Sequence, residues 1–349
     1  MARPPAMPVA QKVRIVLPFL AAPVLARLPV ALGYRIACWN GDLLFRYQAG
    51  KRTEVVRNLQ LVLGNDLSPA VAQQVARDWF RLSSCRAVDL KRLRRGTRPL
   101  QRLVEIRGRE HVEAALAAGK GAILCTAHFG SHDCGFSVLH ASGIPITTIG
   151  RWQQNYRVGL SSAERRFWEL AYVRPVLRYR ERPNIEPWPG RPQVAMQAAA
   201  ALRANEVVSI SIDAPPLDNE QARAVDVSLL GRRARLLPGI VTLAQLTGAP
   251  VLMAFFYRKA DYRHQVWEIS APMPLEGETA TAFGRCAAEV SAAIRRSPAD
   301  WDFWGSADIL AKLGLIQPQE DRSPAAGPVL PQGGDSQHDG SADSVPAQD

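Results

Sequence analysis

The residues best suited to chemistry are His128 and Asp133, which open and close the run HFGSHD at 128–133. The run directly follows AILCTA, which reads as a short buried strand, so His128 is expected at the strand's end. Gly130 permits a tight turn, and Ser131 can cap a following helix. On one continuous helix, residues five apart would diverge by roughly 140°. Across a strand–turn–helix junction, Asp133 can instead swing back towards His128. A carboxylate bonded to one imidazole nitrogen fixes the tautomer and raises the basicity of the other. The pair therefore predicts a general base able to take a proton from an attacking hydroxyl. Two other readings stay open at this level: a structural histidine with Asp133 serving the helix dipole, or His132 as the active imidazole. No GxSxG elbow and no GxxxxGK[ST] loop accompanies the run, so neither a serine hydrolase of that type nor a P-loop enzyme is supported.

The elements around the run predict an α/β fold with a largely parallel central sheet flanked by helices. Residues 51–95 read as helical, with Ser68-Pro69 as a start signal. REHVEAALAAGKG predicts a helix ending at Gly119. IPITTIG, VVSISID, APVLMAFFY and HQVWEIS predict further strands, and helices are expected over 192–204, 239–247 and 278–296. In such sheets the chemistry lies where loops leave the carboxyl ends of strands. That places HFGSHD and the loop after Ile212, which carries Asp213, on one functional edge. Gly231, Arg232 and Arg235 precede a Pro238-Gly239 helix start, and a basic loop beside a helix N-terminus suits phosphate or other anions.

Further blocks in the same order carry a family resemblance. HFGSHD resembles the H-x-x-x-x-D/E motif of the glycerolipid and lipid A acyltransferases, and its HFG opening is closest to the lipid A biosynthesis (lauroyl/myristoyl) branch. IGRWQQN at 149–155 looks like that branch's Arg-x-x-Asn block, and SIDAPP at 211–216 is similar to its strand-end Asp loop. LLGRRARLLPGIVTLAQLTGAPVLMAFFYR at 229–258 looks like its G-[RK]-x-A…T-G-A-P-V signature. The resemblance spans about residues 10–310. Two departures bear on the acceptor: Asp133 stands where the branch usually has Glu, and PADWDFWGSAD at 298–308 keeps Trp301 and Trp304 but lacks the usual His-x-Arg.

The resemblance implies a glycerolipid-acyltransferase-like fold and transfer of an acyl chain from a thioester to an acceptor hydroxyl. The thioester would be on acyl-carrier protein or CoA, and the acceptor a lipid or glycolipid. His128 would act as general base, oriented by Asp133. Arg151 and backbone amides after Gly130 would receive the oxyanion, and Asp213 would orient the surroundings of His128 or the acceptor. No cofactor, no metal and no covalent acyl-enzyme are expected, since no nucleophile is apparent. The setting implied is the cytoplasmic face of the bacterial inner membrane.

Charge and composition fit that setting. The net charge is +11, and because 317–349 holds six acids and one base, about +16 falls on residues 1–316. Such a surface favours an anionic membrane or an acidic carrier protein. A basic run over 86–109 (Arg86, Lys91, Arg92, Arg94, Arg95, Arg98, Arg102, Arg107, Arg109) reads as a solvated face or a contact of that kind. It contains no aromatic residue for base stacking, which argues against nucleic acid. Five scattered cysteines without CxxC spacing predict free thiols. The apolar stretch 15–26 is interrupted by prolines and predicts a helical, membrane-associating N-terminal region over 1–50, with a true span, a cleaved signal peptide or a buried core helix as the other readings. The catalytic domain is expected over 51–316, and a disordered acidic tail over 317–349. A non-catalytic basic binding protein, or a hydrolase using the same histidine, are the competing readings.

Overall fold

The computed structural model describes residues 27–64, 67–93, 95–150 and 193–317. The apolar stretch 15–26, Arg151 with its block, and the tail beyond 317 lie outside the described residues. Three helices lead: α1 (Val30–Tyr47), α2 (Ala49–Leu63) and α3 (Pro69–Leu93). The expected helical segment over 51–95 is two helices, the second starting at the Ser68-Pro69 signal. It breaks at Gly64, whose φ of +54° a residue with a side chain rarely adopts. It restarts at Pro69, where Ser68 Oγ accepts the Val71 amide at 3.4 Å. The sheet and its helices follow: β1 (Val104–Arg107), α4 (Arg109–Ala117), β2 (Ala122–Thr126), α5 (His132–Ala141), β3 (Ile146–Ile149), α6 (Gln193–Arg203) and β4 (Val207–Ser211). Then come β5 (Val225–Leu229), β6 (Arg232–Leu236), α7 (Gly239–Thr247), β7 (Val251–Arg258), β8 (Gln265–Met273), α8 (Thr279–Arg296) and α9 (Ala307–Lys312).

Six strands form one sheet in the order β1-β8-β7-β2-β4-β3, parallel at every pairing except β7 with β8. Its central strands are buried on both faces, as parallel strands flanked by helices must be. In β2, Ile123 and Cys125 join one apolar cluster while Ala122 and Leu124 join another. The larger cluster gathers α2, the start of α3, α6, α7 and α8; the smaller gathers α4 and α5. The mixed α/β fold with a mostly parallel sheet therefore matches expectation. Among the described residues no helix is long and apolar enough to cross a membrane, and all five cysteines are free thiols.

Two features depart from the reading of the sequence. The segment around Gly231, Arg232 and Arg235 is not a loop before a helix. It is the turn and second strand of a separate antiparallel hairpin, β5–β6. Ala234 and Leu236 turn inward, while the intervening arginines stay in solvent and hide the strand's alternation. Part of the basic run is also not a surface: Arg92 is buried, and Asp89 beside it is fully so.

The register of β2 on β4 pairs Thr126 with Ser211. Two residues further along each strand stand His128 and Asp213, so parallel pairing alone brings them side by side. Beyond β2 the chain must turn sharply into α5, and Gly130 makes that turn with φ of +58°. A Cβ on Gly130 would fall 1.9 Å from the Phe256 carbonyl oxygen. Gly130→Ala is therefore expected to destabilise the protein by about 2 kcal/mol or more, combining left-handed strain with overpacking. Urea unfolding of the variant against wild type checks this; an unchanged midpoint would refute the close approach.

Candidate active site

The centre of the site is a carboxylate with no access to water. Asp213 has no exposed side-chain surface, so each of its oxygens must find donors within the protein. Asp213 Oδ1 lies 2.8 Å from His128 Nδ1. Oδ2 accepts the His128 backbone N–H and the Trp301 indole N–H, each at 2.9 Å. Burial pushes the Asp213 carboxyl up, but the opposing charge of His128 and these hydrogen bonds outweigh it and leave the group below the usual carboxylate range. An ionised carboxylate only accepts, so Nδ1 must carry a proton, and when the imidazole is neutral its lone pair is on Nε2. The imidazole is about one-third exposed, which a base that meets a substrate requires. Its ring lies against Phe303, with centroids 4.7 Å apart, and edge-on to His132 at 5.4 Å.

The loop that carries His128 is held by the segment 298–305, which crosses it as a short antiparallel strap. The Asp302 N–H donates to the His128 carbonyl at 3.0 Å and the Gly130 N–H to the Asp300 carbonyl at 2.8 Å, on either side of a Phe129–Trp301 bridge. The strap is fastened to the helical layer in turn. Trp79 Nε1 donates to the Trp301 carbonyl at 3.1 Å, Asn58 Nδ2 to the Trp304 carbonyl at 2.9 Å, and Arg86 pairs with Asp302. Trp301 was legible in the sequence only as part of an aromatic-rich run; its bond to Asp213 depends on the strap returning to the sheet edge.

The residues singled out from the sequence are distributed unevenly. His128 and Asp213 are brought together. Asp133 lies in the first turn of α5, and its side chain lies outside what the structure describes, as does Arg151. Gly231 forms the hairpin turn with φ of +80°. Arg232 donates to the Leu61 carbonyl, and Arg235 to the Gln221 carbonyl at 2.8 Å. No described hydrogen bond or ion pair joins these three residues to His128 or Asp213. Among the described residues no group of His, Cys, Asp and Glu side chains is arranged to hold a metal ion.

Comparison with known proteins adds one match of great extent. Residues 7–304 match a family described as bacterial lipid A biosynthesis acyltransferase. A search of curated proteins finds no match.

The strap contains a second buried carboxyl whose titration is open to test. Asp300 accepts Ser297 Oγ at 2.8 Å through Oδ2, while its buried Oδ1 has no hydrogen-bond partner. Burial lifts its pKa to about 6 against the partial opposition of Ser297 and the charge of Arg258. A carboxyl raised in this way binds its proton more tightly when folded. Its contribution to stability is therefore greatest at low pH and declines as pH rises from the ordinary value of about 4 towards 6. Asp300→Asn removes that decline. Its thermal midpoint relative to wild type is expected to rise between pH 4 and pH 7, and a difference that stays flat across that window would contradict the raised value.

Proposed function

Because the chain belongs to the bacterial lipid A biosynthesis acyltransferase family, we propose that it moves a fatty acyl chain from an acyl thioester to a hydroxyl of a lipid or glycolipid acceptor, with His128 as general base. The observation that carries this reading is the bond of His128 Nδ1 to the buried Asp213, made by an imidazole that is itself about one-third exposed, which assigns the base's lone pair to Nε2. Nε2 takes the proton of the acceptor hydroxyl as its oxygen attacks the thioester carbonyl. The tetrahedral intermediate then collapses, the carbon–sulfur bond breaks, and the departing sulfur recovers the proton from the imidazolium. Asp213 stabilises that imidazolium and fixes its tautomer. In this reading Asp213 takes the orienting role that the spacing of HFGSHD suggested for Asp133. Backbone amides in the first turn of α5, together with Arg151, are the proposed oxyanion donors. The basic surface suits an acidic carrier protein as donor, and CoA phosphates would satisfy the same charge.

The face of α1 turned away from the core supports a membrane setting. Leu32, Trp39, Leu43 and Tyr47 are all exposed, lie on one side of the helix, and are accompanied by exposed Arg35 and Arg46. An apolar stripe beside arginines suits the interface of an anionic bilayer. The proposed setting is the cytoplasmic face of the inner membrane, and the α1 face is the surface proposed to meet the bilayer.

Purified protein given a labelled acyl thioester and a lipid A precursor tests the reaction. Acylated lipid is expected; free acid alone would indicate a hydrolase, and no turnover a binding protein. His128→Ala should abolish transfer with folding intact, since such general-base catalysis contributes about 10²–10⁴-fold. Asp213→Asn should lower kcat steeply, while Asp133→Ala should cost less; the reverse order would return the orienting role to Asp133. For the membrane, Trp39→Ser with Arg35→Gln and Arg46→Gln is expected to weaken binding to vesicles containing anionic lipid. Sedimentation equal to that of wild type would overturn the assignment of the α1 face.

A further inference from the structure

Beneath the loop 128–131 lies a buried ion pair that the reaction itself does not use. Asp89, near the end of α3, and Arg258, the last residue of β7, are joined by a salt bridge, with side-chain exposures of 0% and 2%. Removing two charges from water is costly, and such pairs are often no more stabilising than apolar residues of similar volume. Their placement therefore calls for an account beyond stability.

The partners of the pair supply it. Asp89 Oδ1 accepts the Tyr34 hydroxyl from α1, and Oδ2 accepts the Ser131 hydroxyl at 2.5 Å and Gln265 Nε2 from β8 at 3.4 Å. Arg258 Nη2 donates to Ser131 Oγ at 2.6 Å as well as to Asp89. Burial and the neighbouring Asp89 charge push the Tyr34 phenol far up, so it stays a donor. Ser131 is the one member that belongs to the loop. It accepts from the arginine and donates to the aspartate, so both roles of its hydroxyl are committed and its rotation is fixed. Arg258 reaches the loop by a second route too: its backbone N–H faces Asp300 Oδ2 at 3.4 Å, and the Asp300 carbonyl accepts Gly130 N–H. At the far end of the same loop, His128 is bonded to Asp213 through both Nδ1 and the backbone N–H.

We propose that Ser131 is a positioning residue for His128, clamped by the buried Asp89–Arg258 pair so that the imidazole meets Asp213 in register. The proposal rests on the reading of His128 as general base, and it makes the ion pair the anvil on which that loop is set. A displacement of about 1 Å at a reacting group can cost about 10²-fold in rate, so a single hydroxyl here has leverage.

Ser131→Ala is the decisive variant, because it cuts the tie between pair and loop while Asp89 and Arg258 keep their direct bond. Acyl transfer is expected to show kcat lowered 10- to 100-fold with KM for the thioester within twofold of wild type. Ser131→Thr, which keeps the hydroxyl oxygen, should recover most of the rate. A second readout needs no substrate: in protein with ¹⁵N-labelled histidine, the low-field Nδ1–H resonance of His128 should move in Ser131→Ala and return in Ser131→Thr. If kcat is unchanged, the proposal is overturned whatever happens to the melting temperature. The same holds if kcat falls only as KM rises and the resonance stays fixed. Should wild-type protein transfer no acyl group, the reaction reading fails and the resonance alone decides: movement upholds the positioning role, and no movement ends it.

Discussion

Much of this structure can be understood as the answer to one demand, that a negative charge at Asp213 be held without water. A buried carboxylate left without donors is costly in a medium of low polarity. Here three donors meet it: two from His128 and one from Trp301. The β2–β4 register supplies the first two, since Thr126 and Ser211 are paired and each chain runs two residues further. The strap supplies the third. Remove either, and the charge loses the compensation that keeps Asp213 ionised and His128 in a single tautomer.

The donors also explain why the helical layer is necessary to a site built on a sheet. The strap has little regular structure of its own, only short 3₁₀ turns over Pro298–Asp300 and Asp302–Gly305. Its position is set by Asn58 on α2 and by Trp79 and Arg86 on α3, while the core beneath it packs Trp301 and Trp304 edge to face. Helices α2 and α3 thus do more than cover one face of the sheet. They fix the segment that reaches back to the strand ends.

The sheet core was legible because its strands are continuous apolar runs, and His128 and Asp213 were legible because each stands just past such a run. The strand β1 was not, since VEIR is four residues at an edge with alternate side chains exposed. The β5–β6 hairpin was masked by arginines on its outer face, which read as a basic loop. Asp89 and Arg92 lie within the run 86–109, whose density of charge points to a solvated face or a membrane or carrier contact and not to buried side chains. Their burial depends on Tyr34, Arg258 and Leu28, residues distant in sequence, and no local pattern announces such partners. Trp301 shows the same limit: an indole is expected inside a protein, but its hydrogen-bond acceptor is chosen by tertiary structure. The family resemblance was legible because several blocks of residues stand in the same order along the chain, and the family match extends over residues 7–304.

The strap also gives the protein a timetable. Chains leave the ribosome from the N-terminus and tend to fold as they lengthen. The strands bearing His128 and Asp213 emerge well before Trp301, so a nascent sheet can form while its buried charge still lacks one donor and its key loop lacks its backbone ties. Only when the strap has been made and folded back does the histidine acquire its final setting. A polypeptide interrupted ahead of Trp301 would carry every residue of HFGSHD and still lack the indole donor to Asp213. The geometry around Asp213 is thus completed late in synthesis, by a segment that lies more than 80 residues beyond the carboxylate it serves.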